Sequence, residues 1–503
     1  MAFNKNNNYS NEPFRFKDSQ LVVPHNNELE KTVLGLMITD QDSCNHGLQN
    51  LSEENFPNIG NDHRTIFRAI SILSQKNMAI DLITVLEQLE SMKAKTSVGG
   101  FEYIKDITEA AFTYSAMKDY CRKLEDYRLL RESLAVLDQK LYEYKTTEIP
   151  EINDFIGQIN TDITEIAQKR RIVDFESTKV LAGKLEKYLS ELAKSSTGNI
   201  TGVNTGYSEL NNLTHGFQKG DYVIVAARPA VGKTAFALNL ALNIAAKNQK
   251  TVGFFSVEMP SRQMMMRLVA AQSNVSYKAI QTNHLNKNEM IKVKDGLVVL
   301  SSIPLYLDET PGIKISDIVI KTRKLKQENN NLAAIFIDYI GLVTTHKKTE
   351  SRQIEVSEIS RTLKELAREL DITVVALSQL SREVERRPSK RPSLSDLRES
   401  GGLEQDADVV MLMFREDYYL DQGTLKPKDS QYGSYYETLK EKPNELAPSL
   451  IDIMIAKNRN GEVGVSTLIF FKACSNFSEP DPQLRLSIRA MQDEYNNRKG
   501  TPE

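Results

Sequence analysis

The sequence predicts an α/β protein, a doubly wound and mainly parallel sheet, preceded by an all-α N-terminal domain. Three observations carry that expectation. After Gly202 there are six short apolar runs without polar alternation, at 222–227, 252–255, 333–337, 373–377, 409–414 and 450–456. Runs of this kind suit strands buried on both faces of a parallel sheet. Helical patterns lie between several of them: Val356, Ile359, Leu363, Leu366 and Leu370 form one apolar face just before the 373 run. Strand, helix, strand repetition is the signature of a doubly wound sheet. Before residue 169, by contrast, apolar residues recur at helical spacing, as in Leu29, Val33, Leu34 and Leu36 and again in Ile66, Ile70 and Leu73.

The elements divide the 503 residues into a polar, Asn-rich tail (1–20), a helical domain (21–168), a linker (169–200), an α/β domain (201–485) and a C-terminal tail (486–503). Gly99-Gly100 breaks the helical domain, and Lys169, Arg170 and Arg171 open a polar joint after it. In the linker, Leu181, Leu185, Tyr188, Leu189 and Leu192 share one helical face, which either docks on a partner or packs on its own chain. The polar stretch 421–448 reads as an insertion or mobile loop.

Composition narrows the function classes. No apolar stretch approaches the roughly 18 residues that span a bilayer, and the N-terminus lacks the apolar core of a signal peptide, so a cytosolic address and no membrane partner are expected. Cys44, Cys121 and Cys474 are too scattered for a metal-ligand set or a disulfide framework. A net charge of −3 argues against a basic coat, yet permits nucleic-acid binding in a local channel.

The segment AARPAVGKTAF (226–236) follows a predicted strand and opens a predicted helix, the context a phosphate loop requires. Backbone N–H groups at a helix N-terminus face the anion, and the helix dipole favours negative charge there. Ala230, Val231, Gly232, Lys233, Thr234 and Ala235 are the expected ATP-binding residues. Gly232 allows close approach, Lys233 supplies charge to the β and γ phosphates, and the Thr234 hydroxyl can ligate Mg²⁺. The strict pattern begins with Gly where this chain has Ala227. Three further strand ends carry polar chemistry. Asp338 is expected to hold the Mg²⁺ water shell, Glu258 to polarise the attacking water, and Gln379 to sense the γ-phosphate. Ligands of open α/β sheets bind beyond the carboxyl ends of the strands, which is where these side chains fall.

With these residues in view, the chain resembles the bacterial replicative DNA helicases of the DnaB type over roughly 22–480. The likeness rests on VVPHNNELEKTVLG (22–35), HRTIFRAI (63–70), DLITVLEQL (81–89), AARPAVGKT (226–234), SVEM (256–259) and IDY (337–339). It continues in RQIEVSEISRTLKELARELDITVVALSQLSREVE (352–385), SDLRESGGLEQDADVV (395–410) and KNRNG (457–461). The resemblance implies a homohexamer of RecA-like ATPase cores with the helical domains as a collar. It implies that the 181–192 helix packs on the adjacent subunit, and that nucleotide lies at subunit boundaries. Arg459 then matches the arginine finger supplied to the neighbouring site, with Lys457 as its companion. The 395–402 segment matches the channel loop, so Arg382, Arg398, Glu399 and Gly401 are the expected DNA-binding residues. Between Arg382 and Glu399 there are six Lys/Arg and four Asp/Glu, a modest surplus that a solvated loop would also show. The implied cofactors are ATP and Mg²⁺. The implied partners are single-stranded and forked DNA, a primase and a helicase loader, with action in the cytoplasm at the nucleoid's replication fork. Two departures stand out: Gly341 where the family has Gln, and Asn458 where the finger motif has Gln. A filament-forming recombinase and a non-catalytic ATP-gated module remain the alternatives. The first would not need the helical collar, and Glu258 and Arg459 argue against the second. A fused primase is not expected, since three scattered cysteines cannot build its zinc module.

Overall fold

The computed structural model describes residues 22–500 apart from 58, 60, 61, 111–115, 147–151, 170–176, 195–199, 346–350, 427, 428 and 441–447. The expected tail 1–20 and the basic joint at 170–171 thus lie outside the described residues. The chain divides into two compact units between Glu176 and Ser177, so the linker helix groups with the α/β part.

The first unit is all helix among its described residues, apart from loops. Its core gathers Val33, Leu34 and Leu36 from helix Asn27–Thr39 with Ile66, Phe67 and Ile70 from helix His63–Gln75. Asn26, Asp40, Asp62 and Asp81 each cap a helix by accepting a backbone N–H three residues on, worth about 1 kcal/mol apiece. Gly99, at φ +89°, is the left-handed residue before helix Gly100–Glu109, which accounts for the predicted break there.

The second unit is built on nine strands: β1 (Tyr222–Ala227), β2 (Val252–Ser256), β3 (Leu305–Asp308), β4 (Ala334–Asp338), β5 (Thr373–Gln379), β6 (Val409–Phe414), β7 (Ser449–Asn458), β8 (Gly464–Phe471) and β9 (Asn476–Ser478). Their order is β3-β2-β4-β5-β1-β6-β7-β8-β9. The first six positions pair in parallel, and β7, β8 and β9 extend the sheet antiparallel. The apolar run at 450–456 is therefore β7, buried like its parallel neighbours but opposite in direction. Alternate residues of β1 serve separate cores: Val223, Val225 and Ala227 pack with helix Lys233–Asn248, and Tyr222, Ile224 and Ala226 with helix Arg352–Leu370. Double-sided burial is why the strand reads as a continuous apolar run.

Two expectations are corrected here. The stretch 421–448 is not simply a mobile loop: helices Glu416–Asp421 and Gly433–Lys440 fold over the sheet, and Tyr432 and Tyr436 are buried against Leu450, Ile469 and Ile488. The C-terminal boundary at 485 also fails, because helix Pro482–Gly500 runs through it and Ile488 anchors it to that cluster. The linker helix Thr178–Lys194 leaves Val180, Leu181, Leu185 and Leu189 exposed. Its apolar face is thus not covered by the described residues of its own chain; the side chains of Tyr188 and Leu192 lie outside them.

Candidate active site

Strand order and register bring the predicted residues together. β2, β4, β5, β1 and β6 are parallel neighbours, so their carboxyl ends share one sheet edge. Ala227 pairs with Gln379, and Ser256 with Asp338. Beyond that edge lies a cleft of about 560 Å³, lined among others by Ala230, Gly232, Lys233, Thr234, Ala235, Glu258 and Gln379. Val231 is buried beneath it.

The phosphate loop has unusual backbone. Ala230 takes φ +64° and Gly232 φ +115°. A left-handed residue with a Cβ costs about 1–2 kcal/mol, a strain that turns successive N–H groups toward one point. A Cβ on Gly232 would come no closer than 3.4 Å to any neighbour, the Phe470 ring, so its glycine answers to φ and to ligand approach, not to crowding. Lys233 opens the helix, donates from Nζ to the Ser378 carbonyl (3.3 Å) and lies 4.7 Å from the centre of the Tyr339 ring. Burial lowers its affinity for a proton, and the charges of Asp338 and Glu258 restore part of it.

Asp338 is 1% exposed, and neither carboxylate oxygen has a hydrogen-bond partner among the described residues. Burial pushes its pKa up, while Lys233, the Thr234 hydroxyl and Arg267 pull it down and Glu258 raises it further. An orphaned carboxylate beside a hydroxyl is a donor set that fits a hard divalent cation such as Mg²⁺. Glu258 is exposed in the cleft. The Ser256 hydroxyl donates to the Met259 carbonyl (2.8 Å) and accepts its N–H (3.0 Å), a clip that turns the chain so Glu258 faces out. Gln379, the last residue of β5, is likewise exposed.

Sequence reasoning missed several lining residues: Arg267, Arg415, Tyr339, Phe470 and Lys472. Arg415 had a usable signal, since it ends an apolar run as Asp338 does. It is buried, donates to the Val231 carbonyl (3.2 Å) and stacks near Phe470 (5.8 Å). Arg267 sits mid-helix in Ser261–Ser273, where no local pattern marks it. Gly341 also acquires a reason: a Cβ there would meet the Tyr339 ring at 2.6 Å, so the departure leaves room for the ring beside Lys233.

Lys457 and Arg459 do not line this cleft. β7 is antiparallel to β6, and Asn458 pairs with Val409, which pairs with Val223 near the start of β1. The phosphate loop begins after Ala227, four residues along, roughly 13 Å at about 3.3 Å per residue. Both cations therefore occupy the opposite sheet edge. Lys457 donates to the Glu404 carbonyl (2.6 Å), and Arg459 to the Gln405 carbonyl (2.7 Å) and Asp408 (3.2 Å). Asn458 donates to the Leu213 carbonyl (3.0 Å) and so braces the turn.

The predicted DNA residues follow β5. Arg382 is exposed in the 3₁₀ turn Arg382–Arg386 and makes no hydrogen bond or ion pair among the described residues. The backbone of Arg398 and Glu399 belongs to the 3₁₀ helix Leu394–Ser400 and Gly401 opens helix Gly401–Asp406, but their side-chain positions lie outside the described residues. Gly402 is a packing residue: a Cβ would strike Ser357 Oγ at 2.6 Å.

A phosphate loop at the carboxyl edge of a doubly wound sheet, with an orphaned carboxylate, an exposed glutamate and a cluster of cations, defines a RecA-like nucleoside-triphosphatase core. The DnaB-like helicase N-terminal domain family matches residues 22–126, and the DnaB-like helicase C-terminal domain family matches 202–479. The replicative DNA helicase DnaC of Bacillus subtilis is 37% identical over 457 residues, covering 91% of this chain and 95% of the relative. The replicative DNA helicase DnaB of Geobacillus stearothermophilus is 37% identical over 460 residues with the same coverage. A solved DnaB-like replicative helicase, described with its interactions with primase, superposes with a TM-score of 0.67 at 29% identity, over 91% of this chain and all of that one. A second solved structure, described as an ATPase domain, superposes at 0.53 with 34% identity, over 61% of this chain and all of that one. The chain belongs to the DnaB-like replicative DNA helicase family, ATP-dependent enzymes that act on DNA.

Proposed function

We propose that the chain works as a homohexameric ring that binds ATP at subunit boundaries, travels on single-stranded DNA and unwinds the duplex at the replication fork. The observation that carries this reading is the separation of the site's two halves. The phosphate loop and acids occupy one sheet edge, and Lys457 and Arg459 the other. A second copy of the chain would bring them together.

Within a site, Lys233 and the backbone from Ala230 to Ala235 hold the β and γ phosphates. Arg415 and Phe470 offer surfaces to the base. Asp338 and Thr234 hold Mg²⁺, which when bound neutralises charge on the phosphate oxygens. Glu258 orients a water and takes its proton. Arg459, with Lys457, reaches from the neighbour and stabilises charge on the transferring phosphoryl, an effect worth about 10³–10⁵ in rate where such fingers are measured. Gln379 senses the γ-phosphate and passes its loss to the segment 382–401. There Arg382, Arg398, Glu399 and Gly401 grip the strand through its backbone. Phosphate contacts carry little sequence information, as a motor on arbitrary DNA needs. The helical N-terminal unit forms the collar, and a primase and a helicase loader are the ring's partners. The setting is the cytoplasm, at the nucleoid's fork.

Unwinding of a forked duplex with ATP and Mg²⁺ tests this. Glu258→Gln should bind nucleotide normally and lose about 10²–10⁴-fold in turnover, with no strand separation. Wild-type unwinding by Glu258→Gln would remove the assigned base.

A further inference from the structure

Arg228 is the first residue after β1 and the first of the phosphate loop; it lines the nucleotide cleft yet is only 8% exposed. Its Nε donates to Glu385 Oε1 at 2.8 Å, and its Nη1 donates to the Leu380 carbonyl, also at 2.8 Å. The Leu380 N–H returns to the Ala227 carbonyl at 3.1 Å. One guanidinium therefore joins the loop that cradles phosphates to two points beyond β5. The first is the residue directly after Gln379. The second is the turn Arg382–Arg386, which opens the arginine-rich segment.

The rest of that segment is held differently. Arg387 grips Asp396 through both terminal nitrogens, closing the loop on itself. Arg391 pairs with Asp452 of β7. Among the described residues, the turn Arg382–Arg386 has one polar side-chain contact with the rest of the chain outside this segment, Glu385 with Arg228. A shift of the phosphate loop of even a fraction of a hydrogen-bond length must therefore either drag the turn or break a charge-assisted bond.

We propose that the Arg228–Glu385 pair couples the nucleotide loop to the DNA-gripping segment, with Arg228 a positioning residue and Glu385 its receiver. The proposal rests on the reading of the two sites given above. It differs from the Gln379 relay: Gln379 reads the γ-phosphate from the open cleft, whereas Arg228 reads where the phosphate-loop backbone stands. Coupling between two binding sites is reciprocal, so nucleotide should change DNA affinity by the factor with which DNA changes nucleotide affinity.

The test uses the full-length protein with oligothymidylate as the single strand. It compares wild type, Glu385→Ala, Glu385→Gln and, as a control on the same turn, Glu383→Ala. Basal ATP turnover, turnover with DNA, DNA affinity with and without a non-hydrolysable ATP analogue, ring assembly and melting temperature are measured. Glu385→Ala should assemble, melt and hydrolyse basally as wild type. It should lose at least about fivefold of the DNA stimulation, the low end of a coupling between sites, and the nucleotide-dependent change in DNA affinity with it. Glu385→Gln keeps an acceptor oxygen for Arg228 Nε and should recover most of the loss, while Glu383→Ala should match wild type. Undiminished stimulation in Glu385→Ala, or equal damage in Glu383→Ala, overturns the link. Wild-type turnover that ignores DNA overturns the DNA-segment assignment beneath it, a failure distinct from that of the link.

Discussion

Asp221 and Asp338 are both buried acids with raised pKa values, and what faces them separates their roles. Asp338 lies beside Lys233 and Thr234 with two orphaned oxygens, a cost to the isolated fold that a bound cation would offset. Asp221 lies at the other edge of the sheet, accepting the Gln218 N–H and an amide N–H of Asn460. Burial raises its pKa from 3.8 to about 6; the Asp408 charge adds to this, and the Gln218 N–H and Lys364 oppose it. The native chain thus holds this proton more tightly than the unfolded chain does. Its contribution is fully present below about pH 4 and is lost as pH rises through about 6. Asp221→Asn should flatten that interval, by on the order of 3 kcal/mol of unfolding free energy relative to wild type. Melting temperatures across pH 4–7 provide the measurement. A parallel pH profile in the variant would mean that Asp221 is ionised throughout.

Elements show what the chain leaves unfinished. The linker helix Thr178–Lys194 presents Leu181, Leu185 and Leu189 on successive turns, with relative exposures of 47%, 55% and 55%. Residues four apart on a helix share a face, so this is a stripe long enough to fill a groove on another copy. Leu185→Glu should weaken each ring interface by about 2 kcal/mol or more, roughly thirtyfold in its dissociation constant. Sedimentation at micromolar protein would then give smaller species, with the melting of the α/β unit unchanged. A variant that stays hexameric would show that the stripe carries no interface.

For the whole molecule, the separation of Lys233 from Arg459 makes function, on the proposed reading, a property of the ring. Lys233→Ala and Arg459→Ala rings should each be inactive alone. Mixed from dissociated subunits, they should regain part of the turnover, because a boundary between an intact phosphate loop and an intact finger is complete. Nucleotide hydrolysis titrated against the mixing ratio should pass through a maximum. No recovery at any ratio, with mixed rings shown to form, would place both groups in the same subunit's site. The net charge of −3 is compatible with the proposed ring, which would need cations only at its boundaries and channel and no basic exterior.

Local pattern carried much of the site. A run buried on both faces announces a strand, and the polar residue that ends it is a candidate for chemistry, so the strand-end and loop positions of Lys233, Thr234, Glu258, Asp338 and Gln379 could be picked out from neighbours in the chain alone. The proposed finger and DNA residues rest on resemblance alone, because a basic turn carries no local mark of its partner. Tertiary structure decided the rest. Pairing in the order β2-β4-β5-β1-β6 makes five distant strand ends one cleft, and the antiparallel turn into β7 sends Arg459 to the far edge. It also recruits Arg267 from mid-helix and joins Arg228 to Glu385 across 157 positions of chain. Helix and strand periods record only which way a side chain faces relative to its near neighbours. Which strands pair, and in which direction, depends on burial shared among segments far apart in the chain.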